Sequence, residues 1–168
     1  MNTTSRLAHR IICSVISFMI VVFVMVGGAS STWAQDYKRV PLIGADFSGQ
    51  DLTEADFTQA KLPKSNFSHA NLQNVSLFGA SLEDANLEGA NLTYATISTA
   101  RFTRANLKNA ILEGVLAYNA RFDQANIEGA DFTDALIRED AQKLLCSVAT
   151  GTNPVTHRNT RDTLLCDN

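Results

Sequence analysis

Over residues 40–139 the chain repeats every five residues, as in Ala85-Asn86-Leu87-Glu88-Gly89 followed by Ala90-Asn91-Leu92-Thr93-Tyr94. Such a period fits neither the helical spacing of about 3.6 nor the strand spacing of about 2, so the backbone has to turn repeatedly. Twenty centres, at positions 42, 47, 52 and onward to 137, comprise ten Leu, six Phe, three Ile and one Ala, Ala117. Two residues before the centre stands Ala in fifteen of the twenty units, the exceptions being Val40, Gln50, Ser65, Val75 and Val115. The other places hold mostly Asn, Asp, Ser, Thr, Glu, Gly or Lys. One small and one large apolar residue in every five describe a coil that winds around a narrow core and stacks on itself.

This motif resembles that of the pentapeptide-repeat family, A-(D/N)-L-x-x, and the resemblance covers all twenty units. It implies an all-β solenoid, a right-handed quadrilateral β-helix with four units per coil. Residues twenty apart should then lie in register, in about five coils that stand roughly 24 Å tall at strand spacing. On that count Asn66, Asn86, Asn106 and Asn126 stack above Asp46, where amides can form a hydrogen-bonded ladder. Asn also precedes other centres, as at Asn71 and Asn91, so its recurrence has a simpler explanation as well. Phe67 is expected over Phe47, and Phe122 over Phe102. Ala117 predicts a small void, or a local shift in which Leu116 or Tyr118 compensates. Gly44, Gly49, Gly79, Gly89, Gly114 and Gly129 end their pentapeptides and are expected at corners rather than in a phosphate loop.

Ahead of the repeats, Arg6, His9 and Arg10 precede an apolar run over residues 11–26, then small residues and Ser31-Thr32-Trp33-Ala34-Gln35. This is the order of a secretory signal peptide over residues 1–34, with cleavage after Ala34 and a lead-in over 35–39. An uncleaved anchor helix is the competing reading. Cleavage would leave no stable membrane span and 12 basic against 17 acidic side chains, a net charge of -5. It would also leave two cysteines, Cys146 and Cys166, an even pair in an exported chain that reads as a disulfide. Two free thiols are the alternative, and His157 alone does not supply a metal site.

Residues 140–168 are expected to form a short helical C-terminal cap tied by that disulfide, since a stacked coil leaves unpaired edges at its ends. One helix is expected from Thr133 or Asp134 to Cys146, a turn at Gly151-Thr152-Asn153-Pro154, and a second helix over 160–166 with Thr160 as N-cap and Leu164 and Leu165 buried. The two cysteines, the Gly-Thr-Asn-Pro turn, Thr160-Arg161 and Leu164-Leu165-Cys166 resemble the tail of the thylakoid-lumen pentapeptide-repeat proteins of cyanobacteria and chloroplasts; His157 stands where Gly is expected. The resemblance implies the thylakoid lumen or the periplasm, and the short bacterial-type leader points to a cyanobacterial source.

The charge balance, 14 Lys and Arg against 17 Asp and Glu, offers no polycationic surface for nucleic acid. No catalytic triad or metal-ligand spacing surrounds His69 or His157, and a rod with a filled core is expected to lack a cleft, so neither an enzyme nor a cofactor is expected. Binding suits such a surface better. One face carries Lys61, Lys64, Arg101, Arg104 and Arg121, interrupted by Glu83 and Asp84, with a solvated, salt-paired surface as the alternative to a binding patch. Another carries Phe78, Leu116, Tyr118 and Leu136, with Ile111 on the adjoining face. The expected role is a structural or protein-interaction module whose partner is a thylakoid membrane complex or assembly factor, with end-to-end dimerisation through the N-terminal coil as a further option. Two alternatives come from other classes: a DNA-mimicking gyrase-binding protein, like the family's quinolone-resistance members, and a lumenal factor regulated through a Cys146/Cys166 redox cycle.

Overall fold

The computed structural model describes residues 35–166; the expected signal segment and cleavage point lie outside the described residues. Isolated parallel bridges link residues twenty apart, beginning with Asp36 to Asp56, Pro41 to Lys61, Asp46 to Asn66 and Asp51 to Asn71. The same offset joins the two short strands, β1 (Leu116–Ala117) and β2 (Leu136–Ile137), in parallel. A turn every five residues and a pairing step of twenty give four turns per lap.

One unit shows why the sequence folds this way. Five backbone N–H groups have to be satisfied in each pentapeptide. In residues 66–70, Asn66 N–H donates down to Ala45 O at 2.9 Å, while Phe67 N–H and His69 N–H donate up to Asn86 O at 2.7 Å and Glu88 O at 2.8 Å. Ala70 N–H closes the turn onto Phe67 O at 3.0 Å. The remaining N–H, of Ser68, donates to the side-chain Oδ1 of Asn66 at 3.1 Å. The Asn or Asp before each centre therefore makes an Asx turn within its own unit, in addition to any contact between laps.

Those geometries require a left-handed residue two places after the centre. All twenty such positions from Arg39 to Asp134 have φ between 55° and 68°, although only six are glycine. Each non-glycine there costs roughly 1–2 kcal/mol. The interlap bonds that the left-handed turn aims upward offset this cost. Gly114 has a second reason to be glycine, because a Cβ there would stand 2.5 Å from the ring of Tyr94, one lap below.

The alternating Ala and Leu/Phe/Ile positions form one continuous core, nearly all of it below 3 % exposed between Leu52 and Val115. Phe47 and Phe67 stack with centroids 4.9 Å apart, and Phe102 and Phe122 at 5.4 Å. Ala117 is also buried, but Leu116 and Tyr118 remain outward, 39 % and 52 % exposed, so neither compensates for its small size. The regular pairing of β1 with β2 holds the backbone in register there.

Two boundaries differ from expectation. Residues 35–39 are not a lead-in but another repeat: Asp36 bridges Asp56, Arg39 is left-handed with φ 58°, and Tyr37 stacks on Phe57 at 4.6 Å. Tyr37 stands five residues before Leu42, and its ring serves as a core centre. At the other end the first helix, α1, spans Glu139–Val148 rather than starting at Thr133 or Asp134, because Thr133 and Asp134 are still needed for the last repeat turn. Its acidic first turn, Glu139 and Asp140, suits the positive end of the helix dipole, and Leu145 buries its apolar side.

The second helix, α2, spans Thr160–Thr163, and its N-cap is Asn159, whose side chain accepts from Arg161 N–H at 3.0 Å. Thr160 is the first helical residue instead. Leu164 is buried as expected, but Leu165 is 80 % exposed and left-handed, with φ 55°. His157 also has φ 58°, the conformation for which glycine is the usual choice.

Candidate functional site

Asn66, Asn86, Asn106 and Asn126 do form a ladder, each Nδ2 donating to Oδ1 of the residue one lap below at 3.1 to 3.3 Å. Its lowest acceptor is Asp46. A backbone hydrogen bond from Ser48 holds that carboxyl below the usual carboxylate range, aided by the Ser48 hydroxyl and Asn66 against a smaller opposing desolvation. An acceptor-only group ends the ladder without leaving an amide donor unused. Asp51 plays the same part under Asn71. Among the described residues, Asp36, Pro41, Asp46 and Asp51 bridge only upward. This N-terminal edge thus carries three carboxylates and a residue without an N–H, features that blunt strand edges.

On the basic face the arginines are committed to neighbouring acids. Arg104 makes a bidentate pair with Asp84 at 2.7 and 2.8 Å, Arg101 approaches Glu83 at 3.2 Å, and Arg121 approaches Asp123 at 3.1 Å. Lys61 and Lys64 have no ion pair within 4.0 Å among the described residues, though Lys64 adds attraction at Asp84. The three arginines of this face are therefore paired, and Lys61 and Lys64 carry its remaining positive charge.

The apolar residues come together differently. Leu116 and Leu136 are direct partners across β1 and β2. Tyr118 lies in the same column as Phe78, through the bonds Thr99 N–H to Tyr118 O and Gly79 N–H to Ser98 O. The four side chains are 39 to 52 % exposed, and the C-terminal segment does not cover them. Ile111 is half-buried in the next column, between Asn91 and Asp131. Tyr94 and Ile43 are also exposed large apolar groups, at 62 % and 67 %. The five-residue pattern marks both as outward, but the sequence reading did not select them.

Cys146 and Cys166 form a disulfide, with Cα atoms 5.6 Å apart. The loop it closes is worth about 3 kcal/mol in the chain-entropy model. Several polar contacts bind the same segment to the last repeats. Asn153 is fully buried, and its Nδ2 reaches the carbonyl oxygens of Gly129, Asn109 and Ala110 at 2.9, 3.1 and 3.3 Å. Gly129 N–H donates to Thr150 O at 2.8 Å, and Phe132 N–H to Thr163 Oγ1 at 3.1 Å, so two edge donors of the last lap are satisfied by the tail. The chain passes close at Gly151, where a Cβ would be 2.9 Å from Gly129 N and where φ is +83°.

Arg158 spans the junction, 2.9 Å from Glu113 Oε2 and 3.4 Å from Asp131 Oδ2. Asp131 is fully buried. Burial pushes its carboxyl up, but the hydroxyl and amide of Thr133, the Thr156 hydroxyl and Arg158 together hold it below the usual range. A depressed folded-state value means that this group stabilises the fold above the unfolded Asp value of about 3.9 and stops doing so as the pH falls through the folded value. The stability difference between the protein and Asp131→Asn, followed by urea denaturation, should therefore be constant above about pH 5 and shrink at lower pH. A difference that grows on acidification would contradict this assignment.

The expected absence of any cleft is corrected at the same junction. A cavity of about 590 Å³ lies between the last repeat and the C-terminal segment, with Phe132, Ile137, Asp134, Arg158, Asp162 and Leu164 in its wall. It arises because the tail is fastened at Asn153 and at Cys146–Cys166 and arches between those points. Among the described residues no group of three or more His, Cys, Asp and Glu side chains is placed to hold a metal ion, and no helix is long and apolar enough to cross a membrane.

The family model for pentapeptide repeats matches eight copies over residues 42–77, 70–109 and 100–138. A pentapeptide repeat protein from the thylakoid lumen of Arabidopsis thaliana is 44% identical, with 87% of this chain and 99% of that one covered and a TM-score of 0.75. A pentapeptide repeat protein from Nostoc is 25% identical over 62% of this chain and 86% of its own, with a TM-score of 0.49. HetL, from the cyanobacterium Nostoc and involved in heterocyst differentiation regulation, is 29% identical over 58% of this chain and 48% of its own, with a TM-score of 0.37. No curated protein sequence gives a significant match. The lumenal likeness gives the winding as a right-handed β-helix. Unbroken repeats, twenty-residue stacking and both comparisons agree: this chain belongs to the pentapeptide-repeat family.

Proposed function

We propose that the protein is an exported, non-enzymatic interaction module of the thylakoid lumen: about five coils of β-helix, capped by the disulfide-tied C-terminal segment, that present a flat face to a protein partner. The observation that carries this reading is the outward group Phe78, Leu116, Tyr118 and Leu136, four large apolar side chains 39 to 52 % exposed on one face of the coil. Contiguous exposed apolar groups mark partner sites, and aromatic residues dominate interface energetics. The 44% identity to a lumenal protein over nearly the whole of that chain supports the compartment. The basic face is read as solvated scaffold because its arginines are paired. The N-terminal end is read as a blunt terminus, since end-to-end pairing would bring the Asp36, Asp46 and Asp51 carboxylates of two copies together.

Phe78→Ser with Tyr118→Ser tests the reading. Both side chains are half exposed, so melting should change little. Cross-linking in intact cells should yield a discrete partner band for the parent protein and lose most of it for the double variant. The same band at full strength from the double variant would remove this face as the docking site.

A further inference from the structure

We infer that the C-terminal cavity is a second, separate docking site that takes a basic side chain on an apolar stem, presented by a short segment of a partner protein. It shares no residue with the Phe78 and Tyr118 face and does not depend on it.

Size comes first. About 590 Å³ lies within the usual ligand-pocket range of roughly 300–1,000 Å³, which has room for two or three residues of an extended segment. The inner wall is apolar: Phe132 and Leu164 are 1 % and 3 % exposed, and Ala135 and Ile137 adjoin them.

Charge follows from which groups are already committed. Arg158 is paired with Glu113 and Asp131, and the more distant Asp134 adds to its attraction. The Thr163 hydroxyl donates to Thr160 O and accepts from Phe132 N–H. Gln142 is tied to Leu164 O and Asn159 to the start of α2. Among the described residues, the Asp134 and Asp162 carboxylates have no ion pair within 4.0 Å, and both line the cavity. His157 is the other titratable lining group. Two acids without ion pairs beside an apolar wall match a guanidinium or ammonium on an aliphatic stem, which buries its methylenes while its head stays near the rim.

Leu165 points the same way independently. It follows Leu164, the C-cap of α2, at the position where helices usually place a left-handed glycine. Here a leucine takes φ 55° and leaves its side chain 80 % exposed on the cavity wall. Both the backbone conformation and the exposure are unfavourable in the isolated chain. A partner segment with an apolar residue beside its basic one would cover it.

The test uses the full chain with its disulfide intact and three fluorescein-labelled, blocked tripeptides: leucine-arginine-leucine, leucine-glutamine-leucine and leucine-glutamate-leucine. Fluorescence anisotropy should show the arginine peptide binding at least tenfold more tightly than the glutamate peptide, with a preference that weakens as salt is raised. Asp134→Asn with Asp162→Asn should remove most of that preference, and Leu165→Ala should weaken all three peptides several-fold. Melting temperatures and the Phe78/Tyr118 cross-link, read in parallel, show that each variant is folded. Equal affinity for the arginine and glutamate peptides would overturn the proposal, and so would an arginine preference that survives in the double Asn variant.

Discussion

Phe67→Ala is expected to destabilise the protein by about 3–5 kcal/mol, the usual range for deleting a fully buried aromatic ring. Phe67 has no exposed surface, stacks on Phe47 at 4.9 Å and meets Phe57 edge-on at 5.7 Å. Such ring pairs add about 0.5–1.5 kcal/mol to the burial itself. The surroundings cannot collapse into the gap, because the backbone of each lap is pinned above and below by N–H···O bonds such as Phe67 to Asn86 and Asn66 to Ala45. A stacked array contacts only its neighbouring laps, so the damage should be concentrated near the variant rather than spread evenly. Hydrogen exchange should show lost protection around residues 45–90, with residues 105–130 less affected. Phe78→Ala, on the outside of the same coil, should cost well under 1 kcal/mol. Denaturation curves that lie on top of each other for Phe67→Ala and Phe78→Ala would mean that the aromatic column does not hold the N-terminal laps.

Asn153→Ala is expected to release the C-terminal segment. Its Nδ2 faces three carbonyl oxygens, and its Oδ1 accepts from Val155 N–H at 2.9 Å and Thr156 N–H at 3.1 Å. Leaving buried groups without partners costs about 1–3 kcal/mol each, so even two orphaned groups bring the local penalty to about 2–6 kcal/mol. Asn153→Asp should be at least as damaging, since a carboxylate keeps the shape but directs negative charge at three carbonyls. The readout is local: faster exchange at Gly129 N–H and Phe132 N–H, which the tail covers, with the core laps still protected. The disulfide should keep α1 and α2 joined in both variants, because Cys146 and Cys166 lie on either side of Asn153. Unchanged exchange at Gly129 in both variants would show that Gly151 and Arg158 suffice to seat the tail.

Asn at the position before the centre shows how far the repeat could be read and where reading stopped. Its twenty-residue recurrence pointed to a ladder, and the ladder is present. The same side chains also accept the N–H two residues on, at Ser68, Glu88, Lys108 and Glu128. That local role accounts for Asn71 and Asn91, which lie off the main ladder. Tyr37 was missed as a centre because the twenty recognised centres are Leu, Phe, Ile or Ala, whereas the core also accepts a tyrosine ring over Phe57. The sequence already places Glu83 and Asp84 among the basic residues of that face and offers a salt-paired surface; only the structure shows which arginine each acid takes, Arg101 and Arg104.

The family resemblance supplied the register of twenty and the cysteine count the cystine; the periodicity alone determined the turning backbone and its inward and outward residues. Those features repeat, and each follows from the hydrogen bonding and volume of one five-residue unit. The tertiary structure alone decided where α1 begins, that Leu165 is exposed rather than buried, and that a cavity lies beneath the tail. These depend on contacts that occur once, between residues as far apart as Asn109 and Asn153 or Glu113 and Arg158, and no period in the sequence encodes a contact made once.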